Sequence, residues 1–518
     1  MLDYHRKLEL GGKVTLALFI TFLALSLCSR IDISLFDESI YLSQGLGQFP
    51  DFSQYERSPL YSLYYYLVNL KVSDPLSLYI IGSTLNITLC ISLLLLAAYK
   101  LTHSLAYCTL AFILLASSNL IEVWPYISFL AISLISLGAM LTYTRASTLD
   151  SCSISAVIFF LLCFIRPEFV ISFYTSLALA ILLTANQLRI ALRGDFLSQL
   201  SLLRTSAFSL AALIILSVTW SFPVLSSGGR SFLAFGQHYA LRKFETGQTS
   251  VDPWLNWLSI LHKDAPDTNS ISDILRHYPK VLTNHILANI NDFLTSISKV
   301  FSSPFTQGLT IALMVALALL LLVKSILIPR NPEKPRREAR SRRGAIIFLI
   351  LASAPPLIST FSIYPRTHYT LIIFCCGTLL LAALLANRRI SHTPVATGAL
   401  LIALGLLIPP PIAHDRVNFS SIMEIRSSTT IHKMLEVDGG WCIYLSCQFI
   451  FATEIPAGVN ATQYIEQNGI DAVMVSPRMK EYAQSISDRS LQNFLDTATQ
   501  GGWISMPLRN GSTLLKKI

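Results

Sequence analysis

A chain of 518 residues that is 53% hydrophobic and only 13% charged, with a mean hydropathy of +0.55, is not a string of ordinary soluble domains, which run nearer a quarter charged. Most of it must face lipid or other apolar helices. The net charge of +9 sits largely in a few short basic loops, which fits a topology signal rather than a nucleic-acid surface.

Backbone in hydrocarbon must satisfy its own hydrogen bonds, and runs rich in Leu, Ile, Ala and Phe form helices rather than barrel strands. The chain therefore reads as an α-helical polytopic membrane protein of about eleven transmembrane helices. They fall near 13–29, 76–98, 104–121, 126–143, 154–171, 172–188, 205–224, 307–328, 345–363, 369–387 and 394–412. The stretches 104–143 and 154–188 are nearly continuous apolar runs, so their internal divisions are the least marked. A basic start and a short apolar core also fit a signal peptide, but a polytopic chain follows at once, and residues 1–28 are read as an uncleaved first helix.

Orientation follows from the short loops that hold lysine and arginine. Arg6, Lys7 and Lys13 precede the first span, and Lys100, Arg145 and the group Arg189, Arg193 and Arg204 mark every second boundary after it. The run from Arg330 to Arg343 and the pair Arg388-Arg389 continue the series. Threaded through eleven spans, all lie on one side, which puts the N-terminus in the cytoplasm and the C-terminus outside. The expected organisation is a membrane domain over 1–412, with outer loops 30–75 and 225–306, and an extracytoplasmic domain over 413–518. The latter alternates strand-like runs (Cys442–Ser446, Asp471–Ser476, Trp503–Leu508) with helical stretches (Thr462–Gln467, Met479–Thr499), an α/β pattern. It carries no Gly-rich phosphate loop and no metal-ligand spacing.

Seven cysteines lie in or near spans, as small hydrophobes. Cys442 and Cys447 stand apart in the outer domain, where a disulfide is chemically favoured. Read as the ends of one strand, however, they are too far apart to bridge. Both readings stay open. Asn418, Asn460 and Asn510 head Asn-x-Ser/Thr triplets on the same side.

Ionisable groups gather at the outer helix ends. Asp37-Glu38 follows the first span, and Tyr55-Glu56-Arg57-Ser58-Pro59-Leu60-Tyr61 comes about twenty residues later. Arg166-Pro167-Glu168 sits near the outer end of the fifth span, and Tyr364-Pro365-Arg366-Thr367-His368-Tyr369 joins the ninth and tenth. Charges at a bilayer edge cost free energy unless paired or wetted, so they are functional candidates by default. Each also has a plainer reading. Arg166 and Glu168 pair with one another, Arg366 and His368 anchor an interface, and Tyr61, Tyr64, Tyr65 and Tyr66 form an aromatic belt. As a set on one face they suit sugar transfer from a lipid phosphate: a carboxylate takes the acceptor proton, and arginines hold the departing phosphate. The outer segment from Phe235 to Phe293 is rich in Trp and His (His238, Trp254, Trp257, His262, His277, His285), without the spacing of a zinc pair; these read as surface or packing histidines.

Asp37-Glu38 after the first span, then Arg57-Ser58-Pro59-Leu60-Tyr61, resembles the opening of the GT-C glycosyltransferases, in the branch of protein O-mannosyltransferases and the lipid A aminoarabinose transferase. That branch shows an Asp-Glu pair in its first outer loop, followed by a basic-Pro-Pro-Leu-Tyr stretch; here Ser58 replaces the first proline. Arg166-Pro167-Glu168 is similar to an Arg-Pro-Glu step of the family, and Arg366 with Tyr369 to an Arg-x-x-Tyr step before a late helix. The resemblance spans roughly residues 10–390 and implies a GT-C-like fold and an inverting transfer from a polyprenyl-phosphate sugar. It implies Asp37 as base and Glu38 assisting, as a metal ligand or acceptor contact. Arg57, Arg166 and Arg366 become donor-phosphate ligands, with Glu56, Glu168, Tyr61, His368 and Tyr369 in support. Whether a divalent metal takes part stays open. The acceptor is a lipid, a glycan or a protein, the other partners are membrane lipids, and the expected location is the plasma (inner) membrane. The alternative is a transporter or flippase of lipid-linked saccharides, but charges gathered at one face rather than at mid-bilayer favour catalysis.

Overall fold

The computed structural model describes residues 2–47, 49–116, 118, 120, 126–145, 147–192, 204–224, 229–298, 336–385, 416–456, 458–486 and 488–518. It is mostly helical, with a small C-terminal sheet. Among the described residues five helices are long and apolar enough to cross a membrane: Leu10–Ser29, Pro75–Thr102, Pro167–Ile190, Arg342–Ser362 and Thr367–Leu384. Shorter apolar helices cover Ile127–Tyr143, Thr148–Cys163 and Thr205–Thr219, and another runs over Leu105–Ala116. The expected spans 307–328 and 394–412 lie outside the described residues.

The chain divides into two compact units. The first comprises Met1–Phe22, Asp51–Tyr61 and Asn86–Pro410, the second Leu23–Pro50, Ser62–Leu85 and Pro411–Ile518. Helices in chain order are α1 (Leu2–Arg30), α2 (Asp37–Gly47), α3 (Pro59–Asn69), α4 (Pro75–Thr102), α5 (Leu105–Ala116), α6 (Ile127–Tyr143), α7 (Thr148–Cys163), α8 (Val170–Ala191) and α9 (Arg204–Thr219). They continue as α10 (Arg230–Glu245), α11 (Trp257–Asp264), α12 (Ile271–His277), α13 (Pro279–Ser298), α14 (Arg336–Ser362) and α15 (Thr367–Leu385).

In the first unit α7 packs on α8 and α9, and α14 packs on α6, α7 and α15. Close helix approach needs small residues. Gly138 of α6 meets the Phe348 ring of α14, where an added Cβ would lie 2.3 Å from a ring carbon. The apolar run 154–188 breaks earlier than the expected boundary at 171. Proline disfavours a helical predecessor, and Arg166 is extended (φ −140°, ψ 109°) before Pro167 opens a 3-10 turn, Pro167–Phe169, that leads into α8. Within α14, Pro355 cannot donate to the Leu351 carbonyl, and the Ser172 hydroxyl of α8 donates to that oxygen instead at 2.6 Å. Helices α10 to α13 enclose a core of Phe232, Phe235, Tyr239, Leu261, Ala265, Ile274 and Leu282.

The second unit carries a five-stranded sheet of order β2-β1-β3-β5-β4. The strands are β1 (Lys433–Glu436), β2 (Gln448–Phe451), β3 (Ala472–Val475), β4 (Trp503–Pro507) and β5 (Thr513–Lys517). β1 is parallel to β2 and β3, and β5 is antiparallel to β3 and β4. Side chains alternate between faces. Leu435, Val437, Val473, Val475 and Leu515 enter one core with Ile465, Met479 and Phe494, while Met434, Glu436, Met474 and Leu514 are buried as the alternate set. The remaining helices are α16 (Val417–Ser428), α17 (Trp441–Leu445), α18 (Ala461–Gln467), α19 (Pro477–Ser485) and α20 (Ser490–Thr497). The single helix expected over Met479–Thr499 is thus two, and Cys442–Ser446 is helix rather than strand. That helical turn brings Cys442 and Cys447 to a Cα separation of 4.6 Å, and they form a disulfide. Also in this unit, Tyr65 of α3 is fully buried. An added Cβ at Gly45 of α2 or Gly82 of α4 would come within 2.6 and 2.9 Å of its atoms. Tyr65 is therefore a packing residue, not a member of an aromatic belt.

Candidate active site

The first unit gathers Arg166, Glu168, Arg366, His368 and Tyr369. The extended link between α7 and α8 turns Arg166 inward, where it is 7% exposed. Its Nε donates to Glu168 Oε1 at 2.5 Å, and its Nη1 to Ser128 Oγ, at the start of α6, at 2.9 Å. The guanidinium lies 4.8 Å from the centroid of the Tyr369 ring, a cation–π contact in a desolvated place. His368 stacks obliquely on Tyr369, with centroids 4.4 Å apart. Arg166, Arg366 and His238 are all within electrostatic reach of His368, and Glu168, Arg166 and Arg366 within reach of Tyr369. Two of the three arginines expected to bind phosphate, Arg166 and Arg366, therefore lie within electrostatic reach of one His-Tyr pair. The paired reading of Arg166 and Glu168 holds as well.

Helices α10 and α13 hold the loop that carries Arg366. His285 meets the Ile363 carbonyl at 2.8 Å, and Asn289 donates to the carbonyls of Phe361 and Ile363 at 2.8 and 3.2 Å. Arg242 bonds Asn289, pairs with Asp292 at 2.8 Å, and lies 5.7 Å from the Tyr364 ring. Tyr364 donates to Glu245 at 3.0 Å. His238 is stacked on Tyr364 at 5.0 Å and meets Trp254 edge-on at 5.6 Å. Burial, with Arg366 and His285 adding, pushes His238 down to about 3. Burial pushes His285 down to about 4, against its bond to Ile363 and helped by Arg242. Both rings are neutral at physiological pH, so the positive charge here belongs to arginine. These two histidines pack the site's wall, as a packing reading of that segment expects. His238, Arg242 and Asn289 carry no motif that singles them out in the sequence.

Glu56 and Arg57 lie on the 3-10 turn Tyr55–Arg57. Arg57 is exposed and within reach of Asp51. The turn is tied down on both sides. Tyr55 donates to the Val224 carbonyl at 2.7 Å, Arg230 to the Glu56 carbonyl, and the Leu60 amide to the Phe164 carbonyl, two residues before Arg166, at 3.0 Å. Ser58 follows in the left-handed region (φ 60°, ψ 46°). Proline, locked near φ −65°, cannot take that conformation. Tyr61 is fully buried.

The carboxylate pair belongs to the second unit. Asp37 opens α2, and its side chain lies outside the described residues. Glu38 is closed to solvent and accepts from the Tyr65 hydroxyl at 3.2 Å. Among the described residues no three His, Cys, Asp or Glu side chains converge as a metal site. The three triplet asparagines are all engaged. Asn418 donates to the Ile33 carbonyl at 2.9 Å, Asn460 caps α18, and Asn510 donates to Asn418 at 3.0 Å.

No family model matches the chain, and no curated protein does. Among solved structures it is similar to the crystal structure of ArnT from Cupriavidus metallidurans bound to undecaprenyl phosphate, at 12% identity and a TM-score of 0.37, over 98% of this chain and 97% of that one. It is also similar to ArnT from the same organism in the apo state, at 13% identity and a TM-score of 0.33, with the same coverage.

Proposed function

We propose that this protein is an integral-membrane glycosyltransferase that moves a sugar from a polyprenyl-phosphate donor to an acceptor at the extracytoplasmic face, with inversion. The observation that carries the reading is the convergence of Arg166 and Arg366 on His368 and Tyr369. Two guanidinium groups beside the buried rings of His368 and Tyr369 suit a phosphate that gains charge as it leaves. The acceptor oxygen forms its bond to the anomeric carbon while the bond from that carbon to the phosphate oxygen breaks. The acceptor proton passes to a carboxylate, and Asp37 has that role. Arg57, exposed on its tethered turn, serves as a third phosphate ligand. Glu38 assists, Glu168 holds Arg166, and Glu56, Tyr61, His368 and Tyr369 support the phosphate ligands.

The topology that goes with this function has eleven spans, a cytoplasmic N-terminus and the domain over 413–518 outside, in the plasma membrane. The Cys442–Cys447 bridge supports the outer placement, since disulfides persist where the surroundings oxidise. The test is sugar transfer from a labelled polyprenyl-phosphate donor in membranes. Asp37→Asn should abolish transfer at wild-type expression and insertion; full activity in that variant removes Asp37 as the base.

A further inference from the structure

The segment that leads into the Asp37-Glu38 pair is bonded residue by residue to the α/β part of its own unit. The Asp32 carboxylate accepts from the amides of Asn418 at 3.1 Å and Phe419 at 2.8 Å, as well as from Ile33 at 2.8 Å. Asn418 and Phe419 are the second and third residues of α16, whose own N-cap residue, Arg416, makes no side-chain cap bond. The first amides of a helix have no partner within it, and an anion there also meets the favourable end of the helix dipole. Asp32 thus caps α16 from 386 positions away.

The next residues are held in turn. The Ile33 carbonyl accepts from Asn418 at 2.9 Å, and the Ser34 carbonyl from the Tyr444 hydroxyl of α17 at 3.1 Å. The Ser34 amide donates to the Tyr79 hydroxyl at 2.9 Å, and that hydroxyl donates to the Asp32 carbonyl at 3.1 Å. The Gly439-Gly440 turn closes the series. Gly440 has φ +101°, and a Cβ there would lie 2.1 Å from the Leu35 carbonyl oxygen and 2.7 Å from Ser39 Oγ. Helix α2 begins at Asp37, inside this grip.

We infer that the α/β domain positions the Asp37-Glu38 carboxylates, with Asp32 as the positioning residue and the Gly440 turn as its backstop. The functional consequence rests on the glycosyltransferase reading above; the anchoring itself does not. The experiment uses the full-length protein in lipid nanodiscs and reads two quantities: transfer kinetics, and hydrogen exchange of the α2 amides. Asp32→Ala and Gly440→Ala should each lower kcat by about a hundredfold, the cost of roughly an ångström of misplacement. Donor KM should not move, because the phosphate ligands are untouched. Asp32→Asn should recover only part of the loss, since its one amide oxygen can accept from Phe419 while its NH2 group faces the Asn418 amide, itself a donor. Exchange across Asp37–Gly47 should quicken in Asp32→Ala. Wild-type kcat in both Asp32→Ala and Gly440→Ala overturns the inference, and so does an Asp32→Ala protein whose α2 amides stay as protected as in wild type. If the wild-type chain transfers no sugar, the glycosyltransferase reading falls and the exchange comparison alone decides the anchoring.

Discussion

Replacing Glu168 by Gln removes the anion beside a guanidinium that is 7% exposed, while its bond to Ser128 and its place over the Tyr369 ring remain. With charge centres about 4 Å apart and an effective dielectric of about 20, the lost attraction is about 4 kcal/mol. Breaking a buried pair from one side costs about 3–5 kcal/mol in general, because the other charge is stranded. Ser128→Ala removes a single hydrogen bond to the same cation and should cost about 1.5–3 kcal/mol. The double change Arg166→Met with Glu168→Gln strands nothing and should return much of the loss. Unfolding of the purified full-length protein in detergent, read by denaturant titration for Glu168→Gln, Arg166→Met and their double variant, completes a mutant cycle. A coupling of about 3 kcal/mol is expected. A coupling below about 1 kcal/mol would class the pair with solvent-screened surface pairs and refute the reasoning. In transfer assays Arg166→Met should weaken donor use whatever its stability.

Arg366→Ala should raise donor KM with a smaller effect on kcat, and unchanged donor dependence in steady-state kinetics argues against its phosphate role. The two units should answer pH in opposite senses. His238, down to about 3, and His285, down to about 4, are neutral when folded and take up protons when unfolded. Their contribution is therefore present above about pH 6.5 and lost as pH falls below it. Glu436 is pushed up to about 7 by burial, with the Asp438 charge adding, against the amides of Trp441 and Gly440. It holds its proton more tightly when folded, so its contribution is present at low pH and lost as pH rises from about 4.5 to 7. Hydrogen exchange at pH 5 and pH 8 should show α10 and α13 loosening at the lower pH and β1 at the higher, with the β1 trend gone in Glu436→Gln. Cys442→Ser opens the short disulfide loop and should cost the α/β domain about 2 kcal/mol, read as a drop in thermal stability. An unchanged melting temperature would mean that the bridge does not constrain the domain.

Much of the helical layout is legible in the sequence because its cause is local. Apolar runs such as 76–98 and 369–387 must be helical in lipid, and helices stand there. The break at Arg166-Pro167 is also a local effect, set by the proline, although continuous apolarity on both sides masks its position. Strand-like runs at 471–476 and 503–508 contain β3 and β4, and β3 is an unbroken apolar run because it is buried on both faces of the sheet. The Cys442–Cys447 stretch is apolar enough for either state, and local pattern does not choose between them.

Composition, the spacing of basic loops along the chain and the order of short motifs follow from the chain by itself, since each depends on residues close together along it. The helical, membrane-suited class and the nomination of Arg166, Glu168, Arg366, His368 and Tyr369 come from there. What joins those five side chains is tertiary: the packing of α6, α7, α14 and α15 decides that they meet, and that neutral His238 stands beside Arg366. Asp32 as the cap of a helix 386 positions away, and Ser58 in the left-handed region, are likewise invisible in local pattern. Such contacts join groups far apart in sequence or depend on a backbone angle set by their surroundings, and only the folded chain brings them about.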